Sequence, residues 1–186
     1  NQVGVLLLDY VLATKKEQGT LPKNPIVIKT IVTTEMVEKI AKGFGAEVIN
    51  TLTGFKYIGE QIGELEKKEE LERFVFGVEE SCGYLIGPYV RDKDAVGAIM
   101  LLCEMADNYK KQGKTLWDRM EELYETYGCF ESSQTTRKFE EKEAKEYMQT
   151  LRKGLQTTKK MQDLEGEVDH YMDYSEGIGN LPKSNV

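Results

Sequence analysis

The sequence predicts a three-layer α/β/α sandwich with a mainly parallel sheet, followed by an incomplete α+β segment. Three observations predict it. Between residues 1 and 128, short β-branched apolar runs alternate with helix-length amphipathic stretches. Such alternation implies right-handed crossovers and a sheet with helices on both faces. The runs "PIVIKTIVT" and "RFVFGV" are apolar at nearly every position, as in strands covered on two sides. Past Gly128 the texture becomes polar and charged, so residues 129–186 read as a connection and the truncated start of a further domain.

The elements follow in order. Val3, Leu6, Leu7, Tyr10 and Val11 recur at helical spacing, which predicts a buried first helix to about Gln18 with Gly19 as its stop. "PIVIKTIVT" is the first strand, and "TEMVEKIAKGFG" is a helix capped by Thr34 and closing near Gly43. "AEVINTLTG" is a strand ending in a Thr-Gly corner, "FKYIGEQIGELEKKEELE" a helix with a charged outer face, and "RFVFGV" the third strand. "GYLIGPYV" adds a short strand of undecided direction. "DAVGAIMLLCEMADNYKKQG" is apolar nearly all round in its first half, which predicts burial against the sheet. "TLWDRMEELYETYG" carries Thr115 and Asp118 as a capping box and Gly128 as its stop. Beyond it, "CFESSQTTRKF" and "VDHYMDYSEG" are strand candidates around a charged helix, "EEKEAKEYMQTLRKG".

Composition narrows the function classes. The 186 residues suffice for one domain with a sizeable core, or one domain and part of another. A net charge of -7 argues against general nucleic-acid binding, which wants a basic surface. Cys82, Cys103 and Cys129 are odd in number and far apart, with no disulfide framework and no zinc spacing, so a reducing cytoplasmic setting is expected. The longest early apolar run, "VGVLLLDYVLA", contains Asp9 and falls short of the ~20 residues of a membrane span. It has no basic leader. His170, between acids, reads as an ordinary surface residue. The absence of an initial Met, a first helix already in progress and an ending at "GNLPKSNV" are expected of a piece of a longer protein.

In open α/β sheets, ligands bind beyond the carboxyl ends of the strands. Three clusters fall there: Thr53, Gly54 and Lys56 after the second strand; Glu79, Glu80 and Ser81 after the third; and Arg91, Lys93 and Asp94 before the long apolar helix. Carboxylates accept hydrogen bonds, sugar hydroxyls donate them, and a serine does both. A lysine near a helix N-terminus, where the macrodipole disfavours a cation, makes sense if an anion visits. Together these groups suit a phosphorylated carbohydrate. Each also has a plain reading: the two glutamates as a solvated turn, Lys93 as a surface lysine, Thr53-Gly54 as a corner, Cys82 as an inert thiol. No serine–histidine pair, metal-ligand cluster or glycine-rich phosphate loop is visible in the sequence.

"NQVGVLLL", "KTIVTT", "TLTGFKYIGEQI", "FGVEESCGYLIG" and "VRDKDAV", in this order, resemble the third domain of the α-D-phosphohexomutases, the phosphoglucomutase/phosphomannomutase family. The likeness covers residues 2–128, and the remainder looks like the connection into the family's fourth domain. The resemblance implies an isomerase that interconverts hexose 1-phosphate and hexose 6-phosphate. A phosphoserine in the first domain and a bisphosphate intermediate carry the phosphate, and Mg2+ is held by aspartates of the second domain. It implies that Glu79 and Ser81 grip sugar hydroxyls, with Thr53, Gly54 and Lys93 also meeting the ligand. Val78 departs from the glycine that many members place before the glutamate, and Cys82 stands at a variable position. The phosphoserine loop, the aspartate loop and the C-terminal phosphate loop have no counterpart in the sequence. Two function classes follow. One is part of a mutase, inactive alone, whose partners are hexose phosphates, hexose bisphosphates and other domains of the same chain. The other is a free-standing sugar-phosphate binding or regulatory module. A serine loop and an aspartate loop in the upstream reading frame would decide for the enzyme.

Overall fold

The structure, a computed structural model, describes residues 1–132, 136, 138–158, 168 and 171–173. These fall into two compact units, Asn1–Ser132 and a smaller one beginning at residue 133. In the first unit the order is α1 (Gln2–Glu17), β1 (Ile26–Thr30), α2 (Met36–Gly43), β2 (Glu47–Thr51), α3 (Phe55–Lys67), a 3-10 turn (Leu71–Arg73), β3 (Phe74–Glu79), β4 (Gly83–Leu85), α4 (Ala95–Lys111) and α5 (Leu116–Tyr127). The second unit contains α6 (Glu141–Thr158), where an Arg152–Asp173 ion pair also lies. The two polar strand candidates after Gly128 and His170 fall wholly or partly outside the described residues.

The sheet order is β2-β1-β3-β4. β1 pairs parallel with β2 and β3, whereas β4 returns antiparallel beside β3, which decides the direction that the sequence left open. Alternate side chains serve opposite faces. Val27, Phe76 and Val78 point into a core shared with α1, α2, α4 and α5. Ile26, Ile28, Phe74 and Leu85 point the other way, onto Phe55, Ile58, Ile62 and Leu65 of α3. The sheet therefore lies between two helical layers, as the alternation predicts. The register slips by one residue between Ile26 and Val27, and Val75 is the extra residue of β3.

Local signals decide most boundaries. Gly19 takes φ 67 just after α1, and Gly128 φ 94 closes α5, conformations that favour glycine. The Thr115–Asp118 capping box forms in both directions. Two expectations change. β1 stops at Thr30 rather than Thr33, because the chain turns there and the Thr33 N–H donates back to the Thr30 carbonyl. Thr34 stands one residue before the N-cap position, which Glu35 fills, although the Thr34 hydroxyl still accepts from the Met36 N–H.

The first half of α4 is not buried against the sheet. Val96, Ile99 and Met100 are 69%, 61% and 68% exposed, while only Ala98, Met105 and Tyr109 of this helix are buried. An all-round apolar helix signals that each face needs a cover. One face meets α1, α5 and β4. The opposite face, with Val96, Ile99 and Met100, is exposed among the described residues.

Candidate functional site

Parallel pairing delivers the carboxyl ends of β1, β2 and β3 to one edge: Thr30, Thr51 and Glu79. The exposed Thr53 and the positive-φ Gly54 (φ 116) follow β2 and lead directly into Phe55 of α3. β3 turns into β4 through a three-residue loop, Glu80-Ser81-Cys82, closed by the Glu79–Gly83 pair. Ser81 is exposed at the apex of this loop. Cys82 ends it at φ 62, the left-handed position typical of three-residue hairpins.

Glu79 is nearly buried, with 7% of its surface exposed. Its carboxylate folds over Gly83: a Cβ there would stand 2.5 Å from Glu79 Oε1. The long connection after β4 brings Lys93 back to this carboxylate. Lys93 Nζ lies 3.7 Å from Glu79 Oε1 and 5.6 Å from the centre of the Phe55 ring. Lys93 thus stands between the Phe55 ring, which directly follows the Thr53-Gly54 corner, and the Glu79 carboxylate. At 3.7 Å the ammonium compensates the carboxylate's charge without making a hydrogen bond, so the carboxylate keeps acceptor capacity for another donor. Carboxylate, ammonium, serine and threonine hydroxyls on one edge can bind a polyol in both senses, as acceptor and as donor.

Several contacts hold that connection. Gly59 of α3 lets the Arg91 carbonyl approach closely; a Cβ would meet it at 2.3 Å. The Arg91 guanidinium donates to the Pro88 carbonyl at 2.6 Å and to Glu66 of α3 at 2.9 Å. The Asp94 N–H donates to the Tyr84 carbonyl.

The helix-terminus rationale for Lys93 needs correction. Lys93 precedes the helix, and Asp94 is its N-cap. The Asp94 carboxylate accepts from the Val96 and Gly97 N–H groups and from the Tyr89 hydroxyl. The Gly97 N–H first and the Tyr89 hydroxyl next hold the Asp94 carboxyl below its usual value. Burial, followed by Asp94, pushes the Tyr89 phenol up to about 12, so it remains a donor at neutral pH. The N-terminal N–H groups of α4 are therefore engaged by the protein's own aspartate. The Lys93 ammonium is placed between two carboxylates, Asp92 at 3.5 Å and Glu79 at 3.7 Å, rather than at the helix terminus.

Two parts of this edge escaped the sequence reading. Lys29 lies within the apolar run of β1 and is fully buried. Its ammonium donates to the Thr33 carbonyl at 3.0 Å and to Glu35 at 2.9 Å, clamping the turn between β1 and α2. Above it, the Thr30 and Thr33 hydroxyls lie 2.8 Å apart, and Glu80 Oε2 accepts from Thr30 at 2.8 Å. The available signal was a lone lysine in a strand-like run, followed by two threonines. Nothing local connects it to a glutamate 50 residues away.

The fold and this edge define an α/β/α domain with a polar edge at the carboxyl ends of its parallel strands. Residues 1–127 match the family model "Phosphoglucomutase/phosphomannomutase, alpha/beta/alpha domain III", and the chain belongs to that family. A phosphoglucomutase of Staphylococcus aureus strain MSSA476 is 32% identical over the whole chain, which spans 34% of that relative. A phosphoglucomutase from the bovine strain RF122 is 37% identical over 72% of the chain and 23% of its own length. The chain thus spans about a third of the length of the curated relatives it matches. Among solved structures, the Paramecium phosphoglucomutase pp63/parafusin in its open form superposes with a TM-score of 0.60 at 17% identity, covering 87% of this chain and 27% of that one. At such identity the likeness concerns the fold alone.

Proposed function

We propose that this chain is the sugar-recognition part of a phosphohexomutase that interconverts hexose 1-phosphate and hexose 6-phosphate through a phosphoserine and a bisphosphate intermediate. The observation that carries the reading is the meeting of Glu79 and Lys93, 3.7 Å apart, at the sheet edge beside the Thr53-Gly54 corner. Family membership supplies the reaction class, and the edge supplies groups that match a hexose. Glu79 accepts from sugar hydroxyls, Ser81 and Thr53 donate or accept, the Gly54 corner lets the backbone come close, and Lys93 donates to a hydroxyl or phosphate oxygen.

Residues 129–186 are the connection to a fourth domain in this proposal, and the phosphoserine and C-terminal phosphate loops belong to other parts of the longer protein. Mg2+ also belongs elsewhere in it. Among the described residues no group of three or more His, Cys, Asp or Glu side chains could hold a metal ion. Other domains of the same polypeptide are the expected partners, which the uncovered apolar face of α4 supports. Among the described residues no helix is long and apolar enough to cross a membrane. A cytoplasmic location is part of the proposal.

The test is a titration of the 186-residue chain with glucose 1-phosphate, followed by amide chemical shifts. Shifts should concentrate at residues 53–54, 79–81 and 93, with affinity on the order of millimolar or weaker, since only one domain's contacts are present. A coupled mutase assay should show no product above the blank, because phosphoryl transfer needs positioning and charge neutralisation together. Shifts elsewhere, or none, would remove the sugar-binding reading. Turnover that survives repurification would remove the fragment reading.

A further inference from the structure

We propose that Glu80 is a positioning residue, whose bonds to the β1–α2 turn aim Glu79 and Ser81 at the ligand. The inference rests on the hydroxyl-binding reading of those two residues and adds what holds them in place.

Glu79 ends β3, and Glu80 and Ser81 follow it in the loop, so the placement of Glu80 sets the course of the backbone that carries the other two. Glu80 reaches across the same sheet edge to the end of β1. Its carboxylate accepts from Thr30 Oγ1 at 2.8 Å, with Thr33 Oγ1 at 3.4 Å. Both threonines are buried, at 0% and 2% exposure. With Glu80 tied to β1, the backbone that carries Glu79 and Ser81 on either side of it is held beside the Glu79–Lys93 pair. The anchor is itself rigid: the Lys29 ammonium bonds the Thr33 carbonyl, and the two threonine hydroxyls bond each other. The loop needs an anchor because Cys82 occupies φ 62, a conformation that residues with a Cβ enter at a cost. Besides Glu80, the loop is held by the β3–β4 pairing that ends at Glu79–Gly83 and by a contact between the Tyr84 and Cys82 side chains. Charge does not explain the placement, since the partners of Glu80 are neutral hydroxyls. The contact is geometric, and a neutral acceptor of the same length should serve.

The experiment uses the 186-residue chain as wild type, Glu80→Ala, Glu80→Gln and Thr30→Val. Thr30→Val removes the donor from the other side and keeps the test alive if Glu80→Ala does not fold. The first readout is the ligand-free order parameter of the Ser81 and Cys82 amides. Wild type and Glu80→Gln should stay near ~0.85, while Glu80→Ala and Thr30→Val fall below ~0.6. The second readout is glucose 1-phosphate affinity from the shifts at residues 79–83. Glu80→Ala and Thr30→Val should weaken it about tenfold, and Glu80→Gln by less than about twofold. A rigid loop in Glu80→Ala would overturn the proposal whatever the ligand does. Glu80→Gln binding as weakly as Glu80→Ala would also overturn it, by showing that the charge acts on the ligand directly. If the loop loosens as expected but wild type shows no shifts at residues 79–83, the hydroxyl-binding reading itself fails, and the positioning role falls with it.

Discussion

Two carboxylates, Asp9 and Glu79, are almost equally hidden, at 1% and 7% exposure, yet they are held in opposite ways. Asp9, in the middle of α1, receives two hydrogen bonds from the Arg119 guanidinium of α5, at 3.0 and 2.8 Å. Arg119 also donates to Glu122 at 2.8 Å, and Glu122 accepts from Lys114. The first pair is closed and joins two helices. The second, Glu79 with Lys93, has a single 3.7 Å approach and a lysine whose side chain is half exposed. A buried charge that loses a saturating partner is left at a high cost. Glu79 is compensated but not saturated, which is the condition for meeting an incoming donor. What separates the two pairs is completeness, not burial of the carboxylate.

The sharpest way to break this comparison is at the closed pair. Arg119→Leu should destabilise the domain by about 3–4 kcal/mol at pH 7, because Asp9 is left buried and unpaired. Burial is the leading cause that raises the Asp9 carboxyl above its ordinary value, with Arg119 opposing it. For an acid raised in the folded state, the native protein binds the proton more tightly, so stability falls as pH rises through the window above 3.8. The cost of Arg119→Leu should therefore shrink as pH is lowered toward 4, as read from urea melts at several pH values. Amide shifts on adding glucose 1-phosphate should remain at the sheet edge. A pH-independent cost would show that lost packing, not the uncompensated carboxylate, dominates.

Gly83→Ala should come next, at about 1–2 kcal/mol, because the new Cβ meets the Glu79 side chain. Its larger effect should be on binding, since the carboxylate must swing away. A variant with unchanged affinity would remove Glu79 from the site. Lys93→Ala should change stability by less than about 1 kcal/mol, since its side chain is half exposed. It should weaken glucose 1-phosphate binding several-fold, on the order of a single charge-assisted bond. That difference should narrow as salt rises past ~0.15 M. The smallest expected effect is acid loosening of the helix starts. Asp94 and Asp118 are both depressed, by bonds from the Gly97 and Thr115 N–H groups first. Their contribution is present above the unfolded value near ~3.9 and is lost as pH falls through the lower folded values. Hydrogen exchange in the first turns of α4 and α5 should rise there, while α1 near Asp9 does not follow.

The same contrast separates what was legible in the sequence from what was not. Capping boxes, glycine stops and apolar periodicity are local, so α1, α5 and the three parallel strands were read close to their observed bounds. α4 was misjudged because an apolar helix surface shows that a cover is needed, not whether this chain supplies it. That the Glu-x-Ser turn and the Thr-Gly corner share one edge was legible because parallel strands send their carboxyl ends the same way. The reason first given for Lys93 was wrong, since Asp94 already engages the helix N-terminus.

By itself, then, the sequence determined the α/β/α class, the order of the elements and the edge where polar residues collect, since these follow from backbone propensity and from which positions are apolar. Tertiary structure alone decided the antiparallel return of β4 and the open face of α4. It alone joined Arg119 to Asp9 across 110 residues, Glu80 to Thr30 across 50, and Lys93 to Glu79 over the Phe55 ring. Local patterns encode dihedral angles and the polarity of a face. Which distant side chains meet depends on strand register and loop return, and these are settled only when the whole core packs.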